Sequence, residues 1–231
     1  ECGFRKVLIE KPVSLWSQGI QRLAATLRRQ GVEAACAYNR VAYPSFHEAR
    51  ARAKQEGGIT SCTYTFTEWA ARIGRDKFTA EELTRWGIAN SLHVMSMAHG
   101  LIGLPESWRG HKSGSLGWHP AGSVFVGSGL SRYGIPFAWH ADWGSKGRWS
   151  VEVHTSLRSY RMCPLEKLFA KSSAIGEWEE VPLGACAPEI KAGVVEQVAA
   201  MLSQDIRQSV PLLSLEQAVD LTEYGEEIFG Y

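Results

Sequence analysis

No apolar run in the sequence approaches the ~18 residues that a membrane-spanning helix needs, which excludes a helical span on composition alone. The opening FRKVLIEKPV is too short and too charged for the apolar core of a secretory leader. The chain starts at Glu1 rather than Met, which points to a trimmed N-terminus and leaves a leader open. The five cysteines, Cys2, Cys36, Cys62, Cys163 and Cys186, contain no CxxC pair. Their odd number and wide spacing argue against a disulfide framework and a thiolate zinc site, and favour a reducing, cytoplasmic setting. There is no Walker sequence, no internal repeat and no low-complexity segment. GSGLSRYG (127–134) comes nearest to a dinucleotide fingerprint, but Arg132 stands where G-x-G-x-x-G needs its last glycine.

What is present fits a soluble globular protein of one large domain or two small ones. The 231 residues are 45% hydrophobic and 21% charged. The net charge of +1 hides a division. Residues 1–170 carry 22 Lys+Arg against 13 Asp+Glu, and residues 171–231 carry 3 against 11. This predicts a basic body over 1–170 and an acidic C-terminal helical module over 171–231. A basic body favours polyanions. An acidic module meets a basic partner or rests on the body itself.

Periodicity predicts a strand over 4–10, a helix over 14–31 and a strand over 32–43. The helix has an apolar stripe at Trp16, Ile20, Leu23, Ala24 and Leu27, a cap at Ser14 and a stop at Gly31. A helical insertion follows at about 45–102. Thr65 with Glu68 has capping-box spacing before TFTEWAARIG, and Thr79 with Glu82 has it before TAEELTRWGIANSLHVMSMAHG. This helix pair has the outline of a helix-turn-helix, but Glu81 and Glu82 early in the second helix would repel phosphates. Strands are expected at 122–128, 135–141 and 148–157, with a turn at WGSKGR (143–148) between the last two. A helix opens near Pro188, with a stripe at Ile190, Val194, Val198 and Met201, and Ser214 with Gln217 caps a short last helix. The class is α+β: an antiparallel or mixed sheet, with a ferredoxin-like arrangement as the finer expectation, a helical insertion and a C-terminal helical module.

Three chemistries compete. His140 with Asp142, and Glu152 with His154, each share a strand face, so four divalent-metal ligands would converge if the intervening loop brought the strands together. A tight hairpin would instead disperse them onto a polar sheet face. Cys62 precedes an expected helix, where a thiol pKa would fall, and His93, His99, His111, His119, His140 and His154 all follow it as partners for a cysteine-dependent hydrolase; His47, His119 or His140 would serve as the general base of a processing nuclease. The third reading is nucleic acid. Lys112, Arg132, Lys146, Arg148, Arg158 and Arg161 would neutralise phosphates, while Trp139, Trp143 and Trp149 would offer stacking faces. Gly127, Gly129 and Gly134 would let a backbone approach closely.

The strand–helix–strand opening, the helical insertion, the β-rich second half and GSGLSRYG resemble the RAMP-type RNA-binding subunits of CRISPR effector complexes. That resemblance implies ferredoxin-like domains, guide-RNA binding and contacts with neighbouring subunits, and implicates Gly127, Gly129, Arg132 and Gly134. The expectation is therefore a nucleic-acid-binding subunit of a ribonucleoprotein complex that binds RNA, single-stranded by preference, or single-stranded DNA, with protein partners, no membrane, and no cofactor. The alternatives are a hydrolase, metal-dependent or through Cys62, and a structural assembly protein.

Overall fold

The computed structural model describes residues 3–184 and 191–231. The first sheet is small and is built where the sequence predicts strand, helix, strand. Strand β1 (Lys6–Ile9) pairs in parallel with β2 (Glu33–Cys36), and helix α1 (Ser17–Arg29) makes the crossover. The α1 stripe buries Ile20 and Ala24, while Trp16 stays half-exposed and donates from Nε1 to Glu81 Oε1 at 2.9 Å. Gly31, at φ +66°, turns the chain out of the helix in a conformation that favours glycine. The other side of β2 takes a short antiparallel strand from the far end of the chain, which is named below.

Helix α2 (Pro44–Gln55) starts on a proline, whose missing N–H costs nothing in a first turn. Strand β3 (Ser61–Thr65) follows. The helix expected over 65–74 is absent. Instead of a capping box, Thr65 Oγ1 donates to Arg148 O at 2.5 Å, and Glu68 accepts from Ser91 Oγ at 2.7 Å and Asn90 Nδ2 at 3.0 Å. Tertiary partners thus outcompete the local cap, and only single helical turns form at Ala70–Arg72 and Arg75–Lys77. The second capping box forms as predicted: Thr79 and Glu82 open helix α3 (Ala80–Thr84). A wider turn, Gly87–Ser91, then leads into the almost wholly buried helix α4 (Leu92–Ile102).

The second half is a meander: β4 (Pro105–Ser113), β5 (Val124–Ser131), β6 (Pro136–Asp142), β7 (Ser150–His154), β8 (Ser159–Met162), β9 (Leu168–Lys171) and β10 (Glu179–Val181). With β3 these form an eight-stranded sheet in the order β10-β9-β8-β7-β3-β6-β5-β4. All neighbours are antiparallel except β3 and β6. Helices α5 (Val194–Leu202) and α6 (Gln204–Ser209) precede the short strand β11 (Leu213–Ser214), which completes the small sheet, and α7 (Leu215–Phe229) ends the fold. Pro188 and Ile190, part of the helix expected there, lie outside the described residues, as do Cys2 and Cys186. Ser214 and Gln217 cap α7, which is longer than the sequence suggested at 15 residues.

Helices α4 and α7 pack over one face of the large sheet and make its core. Phe229 meets Phe66 and Phe125 edge to face, and Tyr64 and Tyr224 share a hydrogen bond at 2.5 Å between hydroxyls. Gly87 lies against the Phe229 ring, leaving no room there for a Cβ. The α+β class holds. The finer expectation of a ferredoxin-like sheet is not carried by this strand order.

The sheet runs unbroken across residues 170 and 171, through β8, β9 and β10. Four of the acidic residues beyond it pair with the basic body. Glu216 pairs with Arg28, Asp220 with Arg132 at 3.0 Å, Glu226 with Arg85 at 2.6 Å, and Glu180 with Lys167 at 3.0 Å. Part of the charge asymmetry is thus balanced within the chain. No helix among the described residues is long and apolar enough to cross a membrane.

Candidate active site

Parallel strands deliver ligands to the cleft beyond their carboxyl ends. Here β1 ends at Ile9 and β2 at Cys36, so Glu10, Lys11, Asn39 and Arg40 emerge together. The Lys11–Pro12 peptide is cis. The Lys11 amine donates to Ala89 O at 3.1 Å, which places it beside the turn that carries Asn90. Burial, and next the Arg40 guanidinium, lower Lys11 to about 8. A lysine so placed exchanges a proton near neutral pH.

Arg40, Glu68, Asn90 and Trp149 line an adjoining cavity of about 320 Å³, a size within the roughly 300–1,000 Å³ of small-molecule sites. Arg40 Nη1 lies 3.3 Å from His93 Nε2 and 3.4 Å from Nδ1, and it also donates to Asn39 Oδ1 at 2.6 Å. Burial first, then Arg40, hold His93 well below its usual range, so the imidazole is neutral. Burial pushes the Glu68 carboxyl up, against the hydrogen bonds from Ser91 and Asn90. Trp149 sits under the Arg40 guanidinium at 5.7 Å and beside His93 at 6.2 Å. Arg40 Nε is buried without a hydrogen-bond partner, and so is Gln197 Nε2, which lines a smaller cavity of about 110 Å³ with Glu10, Asn39 and Lys191. A buried donor without an acceptor is costly and marks a place where a bound group would supply one.

No family model and no curated protein matches the sequence. Solved structures match it in shape. Dehydrogenase MviM from Clostridium difficile aligns with a TM-score of 0.74 at 13% identity, over 97% of this chain and 71% of that one. An inositol dehydrogenase homologue from Azotobacter vinelandii, in complex with NADH and myo-inositol, aligns with a TM-score of 0.73 at 12% identity, over 97% of this chain and 69% of that one. Gal80p from Saccharomyces cerevisiae aligns with a TM-score of 0.72 at 10% identity, over 100% of this chain and 70% of that one. The fold is one that nicotinamide-dependent dehydrogenases use.

That likeness corrects the expectations of function. The matching structures above are dehydrogenases and Gal80p, not RAMP-type RNA-binding subunits, so the CRISPR resemblance, the RNA or single-stranded DNA partner and the ribonucleoprotein setting fall away. The hydrolase alternatives, and the expectations of no cofactor or a divalent metal, likewise find no support among these structures, two of which are described with NADH or as NADPH-dependent.

The sequence-predicted residues are scattered for reasons that the topology makes plain. Strand β3 inserts between β6 and β7, so the expected hairpin does not form. His140 pairs with Thr65, and His154 with Ser61, two strands apart. Four residues along and two strands across separate their backbones by about 16 Å. Asp142 pairs instead with Val124, and Glu152 bonds Arg161 at 2.7 Å. Among the described residues no group of three such ligands could hold a metal ion. Cys62 is buried in β3 and burial pushes its thiol up, which removes the activated nucleophile.

Trp139 and Trp143 belong to the core and offer no stacking face. Gly127 and Gly129 are strand residues of β5, and a Cβ on either would strike rings from β6 and carbonyls from β4; only Gly134, at φ +73°, makes a turn. Arg132 pairs with Asp220, Arg158 with Glu56 and Arg161 with Glu152, and Lys112 donates to Phe229 O at 3.3 Å. Lys146 and Arg148 are exposed. Of the expected histidine bases, His119 is buried between Gly122 O and the Tyr231 hydroxyl, and burial lowers His47. Of the predicted residues, Trp149 and Arg148 line the cavity of about 320 Å³, while Glu152, His154, Arg158 and Arg161 border a separate hollow of about 440 Å³. Nothing local in the sequence marks Lys11, Arg40, Glu68 or Asn90 for chemistry, and His93 stands there only as one of six histidines after Cys62, because their meeting depends on chain segments some 50 to 80 residues apart.

Proposed function

We propose that this chain forms the substrate-binding and proton-transferring part of an NAD(P)-dependent oxidoreductase acting on a hydroxyl-bearing ring carbon of a polyol or sugar. The observation that carries this reading is the Lys11 amine, lowered to about 8 at the carboxyl end of β1 and beside a cavity of small-molecule size. The matching structures include an inositol dehydrogenase homologue with NADH and myo-inositol and a UDP-N-acetylglucosamine 3-dehydrogenase, both named for ring substrates.

Oxidation of a secondary alcohol removes a proton from oxygen and a hydride from carbon. When bound, the nicotinamide accepts or returns that hydride. Lys11 Nζ takes the hydroxyl proton in one direction and returns it to the carbonyl oxygen in the other. Asn90 offers hydrogen bonds to neighbouring hydroxyls. Neutral His93 lies behind Arg40, where an imidazolium would add a second positive charge. Glu10, Asn39, Lys191 and the unpartnered Gln197 Nε2 surround the strand ends and suit the reacting end of the cofactor. The 231 residues contain no G-x-G-x-x-G.

The test is reduction of NAD+ or NADP+ by the full protein over a set of cyclitols and sugars, with Lys11→Met beside the unchanged chain. Lys11-dependent reduction supports the reading. Reduction that survives Lys11→Met at full rate removes Lys11 from its proposed role.

A further inference from the structure

The same cavity carries an excess of positive charge. Arg40, Arg72 and Arg148 all line it. Among the described residues none of the three forms an ion pair with a carboxylate, whereas Arg132, Arg158 and Arg161 all do. Two carboxyl groups share the lining. Glu68 is turned into its bonds with Ser91 and Asn90, and Glu166 is exposed and unpaired. Lys11 adds a fourth cation next door.

The two arginines at the mouth are held in place without being neutralised. The Trp69 indole donates to Gly147 O at 2.7 Å, and the Arg72 guanidinium lies over the same indole at 5.2 Å from its centre. Arg148 follows Gly147 and is fixed by its carbonyl, which accepts from Thr65 Oγ1 at 2.5 Å. Trp69 thereby ties the segment after β3 to the turn after β6, and it remains 46% exposed, an open aromatic face at the mouth of the cavity. Farther in, Arg40 Nε still lacks an acceptor. A guanidinium presents a planar fork that matches a carboxylate or phosphate, and an unpaired set of them in a partly desolvated cleft selects for negative charge.

The geometry points to an anionic substrate: a hydroxylated ring bearing a carboxylate or phosphate, with that group held by Arg72 and Arg148 and the ring directed inward past Trp149 to Arg40 and Lys11. This deepens the oxidoreductase reading and rests on it for the chemistry, but not for the binding.

The experiment measures tryptophan-fluorescence quenching of the full protein by glucose, glucuronate and glucose 6-phosphate, with neither cofactor nor turnover. At least one anion is expected to bind ten or more times tighter than glucose, with affinity falling as salt rises. In Arg72→Ala/Arg148→Ala that preference disappears while glucose binding is unchanged, and in Arg72→Lys/Arg148→Lys it returns in part. Comparing the two anions tells whether the fork serves a carboxylate or a phosphate. Equal binding of glucose and both anions, an anion preference that survives the double alanine variant, or no quenching by any of the three overturns the proposal. Because nicotinamide reduction is assayed separately, an inactive protein that binds the anion contradicts the oxidoreductase reading alone, and an active protein that prefers neutral rings contradicts this one alone.

Discussion

The Lys11 amine and the Ala89 carbonyl, 78 residues apart in sequence, meet at 3.1 Å. This contact joins the end of the small parallel sheet to the turn that opens α4, and it sets the lysine next to the turn whose Asn90 lines the cavity. Its charge state follows. Burial and Arg40 lower the amine to about 8 from its usual 10.5. Alcohol oxidation, which needs the neutral amine, is expected to rise with pH and level off above about 8. Carbonyl reduction, which needs the protonated amine, falls above the same point. Initial rates in both directions across pH check this, and a profile flat through that range contradicts it.

Replacing Lys11 by Met removes the proton carrier and leaves the fold's core intact. The expected loss in kcat is ~10²–10⁴-fold, the usual worth of general acid–base catalysis. Melting temperature measured alongside should scarcely change, which separates chemistry from stability.

Glu68 is expected to make stability depend on pH. Its folded pKa is raised above the usual 4.5, so the folded state holds a proton that the unfolded state gives up. The stability it contributes is present below 4.5 and is lost as pH rises through its folded value. Glu68→Gln should flatten that slope in urea titrations at a series of pH values. Glu68→Ala leaves Ser91 Oγ and Asn90 Nδ2 without their acceptor and should cost about 1–3 kcal/mol for each donor left buried.

Gly87→Ala tests whether α7 is part of the core. A Cβ there strikes the Phe229 ring, and overpacking of this kind costs about 1–3 kcal/mol. The companion change Phe229→Leu should recover part of the loss in a double-mutant cycle. Purely additive effects would mean that the two sites do not touch.

Cys62 should be inert in the folded protein. It is buried, with its thiol pushed up by that burial, whereas Cys163 is half-buried. Iodoacetamide should label Cys163 well ahead of Cys62, and the order is expected to collapse in denaturant.

Local signals in the sequence are kept where nothing distant competes. The Thr79–Glu82 and Ser214–Gln217 boxes form, and the α1 stripe buries Ile20 and Ala24. The Thr65–Glu68 box has the same spacing and fails, because Ser91 and Asn90 offer Glu68 partners inside the fold. The β6–β7 pairing was misread for a related reason. Adjacent strands are expected to be neighbours, and nothing between residues 136 and 154 tells of β3 lying between them. The basic and acidic residues were legible as two populations, but not as each other's partners. At the site, Trp149 and Arg148 were visible as an aromatic and a cation, while Lys11, in the short run Glu10–Lys11–Pro12, takes its meaning from Ala89 and Arg40.

The most direct test of the account is the absorbance of reduced nicotinamide formed by the full protein from NAD+ or NADP+ with cyclitols and neutral and anionic sugars, compared between the unchanged chain and Lys11→Met. The account predicts reduction with at least one ring substrate and its loss in the Lys11 variant. Absence of reduction with every substrate, or reduction indifferent to Lys11, would contradict it.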